Sequence, residues 1–265
     1  MLVVGELINA SRKAVAAAIE AQDEKKIKQL AIDQVAAGAD FIDVNAGVFV
    51  GREADYLQWL VQTVQEGVDA PCCIDSPDPA AIEKALAVHK GVALLNSISL
   101  EKERFEALLS LVAGTDLKVV SLCMSDEGIP ETSEERVRIA DRLINGLVKN
   151  NVAIDNIYVD PLVQPISTSS SFGAEFLDAV EKIMTGFPGV HTICGLSNIS
   201  FGLPLRGHLN RNFAVMAIAR GLDSLILDPL DKRMMANIIA AETLAGKDRY
   251  CMNYLKAFRA NKLEI

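Results

Sequence analysis

The chain has 265 residues, 50% of them apolar, and a formal net charge of −9. That length suits one large domain or two small ones with a substantial core, and the acidic balance argues against a phosphate-neutralising nucleic-acid binder. No apolar run approaches the roughly eighteen residues of a membrane span, and the N-terminal MLVVGEL lacks the basic region and cleavage site of a signal peptide, so a soluble cytoplasmic protein is expected.

In chain order, short β-rich runs alternate with helical ones. Strands are predicted at 2–6 (LVVGE), 41–46 (FIDVNA), 71–75 (PCCID), 93–98 (ALLNSI), 118–124 (KVVSLCM), 157–160 (IYVD), 191–197 (HTICGLS) and 224–228 (SLILD). Helices are predicted between them, among others from KIKQLAIDQVAAGA, ADYLQWLVQTVQEG, ERFEALLSLVAG and SEERVRIADRLINGLVKN. In the first of these, Ile27, Leu30, Ala31 and Val35 recur at helical spacing and make one apolar face. Ser133, followed by Glu134 and Glu135, reads as an N-cap with acids in the first turn. Eight strand–helix units predict a (β/α)₈ TIM barrel, one domain over residues 1–265. Near-continuous apolar strands fit a sheet buried on both faces. An open doubly wound sheet is the alternative, but no strand is followed by a G-x-G-x-x-G or P-loop signature.

Five cysteines occur (Cys72, Cys73, Cys123, Cys194 and Cys251) with no C-x-x-C spacing, which fits free thiols rather than a disulfide framework. His89, His191 and His208 are scattered, so no metal site is expected.

The strand ends carry the chemistry. Glu6 and Asn9 follow the first strand, Asp43 and Asn45 end the second, Asp75 ends the third and Asn96 lies near the end of the fourth. Asp160 ends the sixth, Ser197 and Asn198 the seventh, and Asp228, followed by Pro229, the eighth; Asp228 is the strongest candidate for a helix cap. In a barrel these residues converge on the rim where active sites are built. A rim of carboxylates and amides without Lys or Arg suits a neutral, donor-rich heterocycle, such as a 2-amino-4-oxo-pyrimidine edge whose adjacent N–H groups a carboxylate accepts in a fork.

GELINA at the start, DVNAG at 43–47, CIDS at 73–76, LNSIS at 95–99, DPL at 160–162 and GLSNISFGLP at 195–204 together resemble the pterin-binding methyltransferase family. Its members include the methyltetrahydrofolate:corrinoid/iron–sulfur protein methyltransferases and the folate module of cobalamin-dependent methionine synthase. The resemblance spans nearly the whole chain, through YCMNYLKAFR near the C-terminus. It implies that Asp75, Asn96 and Asp160 bind the pterin ring, that Gly195 and Ser197 lie along it, and that Asn198 is the catalytic amide near N5. Asp75 would help supply the proton there, directly or through water. Asn9, Asn45, Asn210 and Arg211 also sit in family-like stretches, without an assigned role. Where the corrinoid/iron–sulfur branch tends to carry glutamine, this chain has Phe201.

By the same resemblance the substrate is tetrahydrofolate or 5-methyltetrahydrofolate. The cobamide would ride on a separate corrinoid-binding protein that docks transiently, and the enzyme would be a homodimer that binds no metal, nucleic acid or membrane. Both directions of transfer occur in the family. Two other readings stand beside this one: a dihydropteroate synthase-like enzyme, which would use a lysine where Ser197–Asn198 stand, and a non-catalytic folate-binding subunit.

Overall fold

The computed structural model describes residues 1–263. The apolar runs form eight strands: β1 (Leu2–Asn9), β2 (Phe41–Asn45), β3 (Cys72–Asp75), β4 (Leu94–Leu100), β5 (Lys118–Ser125), β6 (Ile157–Asp160), β7 (His191–Thr192) and β8 (Ser224–Leu227). All pair in parallel, in the order β7-β6-β5-β4-β3-β2-β1-β8. The two remaining edges meet at a bridge between Gly195 and Ile226, where the Ile226 N–H donates to the Cys194 carbonyl at 2.9 Å. The sheet is thereby drawn into a (β/α)₈ barrel.

Helices fill every crossover. Between β1 and β2 run α1 (Lys13–Glu20) and α2 (Glu24–Ala37). Then follow α3 (Glu53–Gly67), α4 (Pro79–Leu86), α5 (Lys102–Val112), α6 (Ser133–Lys149), α7 (Phe172–Gly186), α8 (Arg206–Ala219) and α9 (Lys232–Leu244), with α10 (Met252–Arg259) after the last barrel unit. On α2, Ile27 and Ala31 are fully buried as predicted, and so is Gln34, which the apolar pattern does not predict. Its Oε1 accepts the Leu7 N–H at 2.9 Å. This satisfies β1 where its pairing with β2 shifts register between Gly5 and Ile8.

Apolar side chains divide into an inner ring and an outer layer. Val4, Phe41, Cys73, Leu94, Val120, Tyr158 and Ile193 pack together with Ile226, one residue from each strand or its direct extension. They plug the barrel below its C-terminal mouth. The opposite strand faces bury Ile42, Ile74, Leu95, Val119 and Val159 against the helices. Cys72, Cys73, Cys123 and Cys194 are free and buried, and Cys251 is free and exposed.

Three expectations need correction. The seventh strand is predicted over 191–197, but only His191–Thr192 is β-structure. Ile193 still donates to the Val159 carbonyl at 2.9 Å, after which Gly195 leaves extended geometry (φ −73, ψ 88) and Leu196–Ser200 wind into a 3-10 turn. The chain here must leave β6 and bridge to β8. Ser133 is not the cap of α6; Thr132 is, in a capping box with Glu135. Asp228 does not cap α9 either: Asp231 does, and Asp228 Oδ1 accepts the Leu230 N–H at 2.9 Å.

Candidate functional site

Alternate residues of a strand share a face. Two residues beyond the inner apolar ring therefore come Glu6, Asp43, Asp75, Asn96, Leu122, Asp160, Gly195 and Asp228. Parallel pairing sets them side by side: Asp43 faces Cys73, Asn45 faces Asp75, Asp75 faces Asn96, and Leu122 faces Asp160. The predicted pterin ligands Asp75, Asn96 and Asp160 are thus brought to one mouth, together with Gly195 and the turn that carries Ser197 and Asn198.

Local bonds orient these groups. Asn45 Nδ2 donates to Asp75 Oδ2 at 2.9 Å, while Asn45 Oδ1 accepts the Gly47 N–H at 3.0 Å. Asn45 is therefore the residue that aims Asp75. Asp160 Oδ1 accepts the Leu162 N–H at 2.8 Å, and Leu162 itself holds a left-handed backbone (φ 67). Asp43 is buried, and its Oδ1 has no hydrogen-bond partner among the described residues.

The carboxylates share a shortage of solvent. Burial, and then the negative charge of Asp75, push Asp43 well above the ordinary carboxylate range. Burial also raises Asp75, held back by the Asn45 hydrogen bond and the Arg104 charge. Asp160 is pushed up to about 7 by burial, against the N–H groups of Leu162 and Gly195. Glu6 is raised by burial and eased by the nearby Arg12. The mouth can hold and release protons near neutrality, and it presents acceptors without a single Lys or Arg at these eight positions. That acceptor set fits the amino and ring N–H edge of a pterin.

Asn198 is exposed on its 3-10 turn. Its amide nitrogen lies 3.4 Å from where a Cβ on Gly195 would stand, so the bare glycine leaves that space open beside the amide. Neither this turn nor α8 has a side-chain cap at its start, so Asn198 is not engaged as a helix cap. The surrounding loop is fastened at several points. Arg206 Nη2 donates to the Ser197 carbonyl at 2.5 Å, Ser200 Oγ donates to Asn210 Oδ1 at 2.7 Å, and Ser167 Oγ donates to the Phe201 carbonyl at 2.7 Å. Gly202 supplies the positive φ of 79° that turns the chain toward α8. Asn210 is thus a loop fastener, Arg211 pairs with Asp231 at 3.0 Å, and Asn9 accepts the Ser11 N–H at 2.9 Å.

With this geometry in place, comparison with known proteins decides the family. The pterin binding enzyme family matches residues 5–228. The chain belongs to the pterin binding enzyme family. It is 38% identical over 265 residues to the methylcorrinoid:tetrahydrofolate methyltransferase of Eubacterium limosum, covering 99% of this chain and 98% of that protein. It is 34% identical over 242 residues to the methionine synthase of Mycobacterium tuberculosis, covering 86% of this chain but only 20% of that much longer protein. Among solved structures, a dihydropteroate synthase of Coxiella burnetii in complex with pteroic acid superposes with a TM-score of 0.71 at 16% identity, over 93% of this chain and 94% of that one. The dihydropteroate synthase of Thermus thermophilus gives 0.69 at 19% identity, over 92% and 94%. At such identities the likeness is one of fold.

Two kinds of residue escape sequence reasoning. Asp43 reads there as a strand-end acid without a role, although its place inside the apolar FIDV is the signal of a buried carboxyl. The arginines behind the mouth go unseen altogether. Arg136 has a signal, since it stands on the same α6 stripe as Ile139, Ala140, Leu143 and Leu147 and is buried with them.

Proposed function

We propose that this enzyme moves a methyl group between N5 of tetrahydrofolate and the cobalt of a corrinoid carried by a separate protein. The observation that carries this reading is the mouth of Asp75, Asn96 and Asp160, with no Lys or Arg at its eight strand-end positions, and the exposed Asn198 beside Gly195. The whole-length relative whose name joins a methylcorrinoid to tetrahydrofolate supports it. Asp75, Asn96 and Asp160 hold the pterin edge, Gly195 and Ser197 lie along the ring, and Asn198 meets N5.

The same relative supports transfer from methylcorrinoid to tetrahydrofolate. In that direction N5 contributes its lone pair to the methyl carbon, the methyl–cobalt bond breaks with its electron pair staying on cobalt(I), and N5 gives up its proton. Asp75, already raised by burial, takes that proton directly or through water. In reverse it returns the proton, and N5 becomes a competent leaving group. A neutral amide is no acid at ordinary pH, so Asn198 acts by preorganised hydrogen bonding as charge changes at N5.

Residues 1–263 present no helix long and apolar enough to cross a membrane. Among them there is no cluster of three or more His, Cys, Asp or Glu that could hold a metal. The relative's name supports a corrinoid substrate; carried on a separate protein, it must reach the mouth. Val48, Val50, Phe201 and Leu205, on the connections after β2 and β7, are exposed apolar side chains suited to that encounter. A cytoplasmic homodimer working as one domain over residues 1–265 completes the reading. Tyr250, Met252, Leu255 and Phe258, exposed on and before α10, offer an apolar face for the second copy.

The decisive assay presents the purified protein with tetrahydrofolate and a panel of methylated corrinoid proteins, and with 5-methyltetrahydrofolate and their reduced forms. Transfer is expected in both directions with at least one partner. Folate binding without transfer to or from any corrinoid would leave only a folate-binding subunit. Formation of dihydropteroate from a pterin diphosphate and p-aminobenzoate would instead place the chain with the synthases. Light scattering tests the dimer.

A further inference from the structure

We propose that Arg104 is a positioning residue: it locks the ends of β3 and β4 together and so sets the mutual placement of Asp75 and Asn96. The proposal rests on the pterin-binding reading of these two residues. Arg104 stands in the first turn of α5, behind the mouth. Its Nε and Nη2 donate to the Ser97 carbonyl at 2.9 and 2.6 Å, its Nη1 to the Pro77 carbonyl at 2.6 Å, and its Nη2 also to the Ser76 carbonyl at 3.0 Å. Ser76 and Pro77 directly follow Asp75, and Ser97 directly follows Asn96. One rigid fork thus gathers three carbonyls from two strand ends. Past the paired strands, a single backbone bond also joins these ends, the Ser76 N–H donating to the Asn96 carbonyl at a longer 3.2 Å.

Arg104 donates to carbonyls rather than to a carboxylate, yet its charge opposes the rise that burial forces on Asp75. The arrangement recurs around the mouth. Arg136 Nε donates to the Pro161 carbonyl, next to Asp160, at 2.8 Å. Arg206 Nη2 donates to the Ser197 carbonyl, next to Asn198. Each guanidinium comes from a flanking helix and takes the backbone beside a site residue rather than its side chain. Cation charge is thereby supplied to an acidic pocket without occupying it. A planar five-donor group suits this, and a lysine does not.

The test compares wild type, Arg104→Gln and Arg104→Lys. Tetrahydrofolate binding is titrated by calorimetry across pH 5.5–8, and amide exchange is followed at Ser76 and Asp78 without ligand. Arg104→Gln is expected to weaken binding by about tenfold, the scale of losing a charged hydrogen-bond anchor. It should also move the acid limb of binding to higher pH, because Asp75 holds its proton more tightly once the positive charge is gone. Arg104→Lys should return the acid limb to the wild-type position but not the affinity, since a compact ammonium on a flexible stem lacks the rigid planar fork that spans the three carbonyls. A merely structural loss would not divide these two readouts. Exchange at Ser76 should quicken in both variants. Unchanged exchange, or a folded Arg104→Gln with wild-type affinity and acid limb, overturns the proposal. Should Arg104→Gln fail to fold, wild-type affinity in Arg104→Lys overturns it instead. If wild type itself does not bind tetrahydrofolate, the pterin reading falls, and the exchange measurement still decides the positioning role.

Discussion

Asp160→Asn removes a carboxyl that burial holds up to about 7, against an ordinary value of 3.8, while keeping an oxygen for the Leu162 N–H. The raised value means that the folded protein binds this proton more tightly than the unfolded chain. Its contribution is intact below the ordinary value, and stability is lost as pH rises through the window up to about 7. The gap is roughly three units, each worth about 1.4 kcal/mol, so keeping Asp160 ionised at pH 8 costs up to about 4 kcal/mol. Asp160→Asn should therefore gain on wild type between pH 5 and about 7 and level off by pH 8. The assay is urea unfolding of both proteins at half-unit pH steps, read as the difference in free energy. A second readout follows from the proposed role. Pterin N–H donors need the ionised carboxylate, so below pH 7 wild-type affinity for tetrahydrofolate should fall by up to about tenfold per unit, with proton release on binding. A stability difference that stays flat with pH, or one favouring wild type at pH 8, would refute the reasoning.

Three further outcomes are expected. Asn198→Ala should slow single-turnover methyl transfer by about 10²–10³-fold while changing tetrahydrofolate affinity little; weak binding with a wild-type rate at saturation would make Asn198 a ligand only. Asn96→Ala should weaken calorimetric tetrahydrofolate binding by about 1–3 kcal/mol, the cost of a lost buried partner; unchanged affinity removes Asn96 from the pterin edge. Gly5→Ala should destabilise the fold by about 1–3 kcal/mol in thermal or urea unfolding. The added Cβ would sit 2.5 Å from Gln34 Oε1, which must keep the Leu7 N–H; an unchanged midpoint would show that the Gln34 bond gives way freely.

Much of the fold is legible because its signals are local. Apolar strands such as FIDVN and amphipathic helices such as Ser133–Lys149 announce themselves within a few residues, and the barrel follows from their alternation. The pterin-side candidates are legible for the same reason, since Asp75 and Asp160 are the last residues of β3 and β6. The seventh strand is overread because apolarity reports burial, not pairing. Leu196 and Ile199 are buried, yet the chain there has already wound into the 3-10 turn. In TSEE, either Thr132 or Ser133 can cap; Thr132 wins because it places Glu135 at the position that closes the capping box. Arg104 is beyond reach, because its partners Ser76 and Pro77 lie 28 and 27 residues away and are backbone carbonyls. No side-chain pattern encodes them.

The charge arrangement bears on why an amide, rather than a cation or an acid, stands at Asn198. Glu6, Asp43, Asp75 and Asp160 are all raised, with burial the largest cause for each, so the mouth is a costly place for further negative charge. The arginines Arg104, Arg136 and Arg206 are engaged on backbone carbonyls behind the mouth. A lysine beside N5 would pair with those acids and would favour only one protonation state of the nitrogen. A further carboxyl would deepen the repulsion that Asp75 already exerts on Asp43. An amide is neutral, and by rotation it offers Nδ2 as donor to a bare N5 lone pair or Oδ1 as acceptor from N5–H. On the proposed reading, Asn198 can therefore assist N5 whichever way the methyl group travels. On the same reading Asp75 supplies or removes the proton, and whether the corrinoid arrives methylated or as cobalt(I) sets the direction.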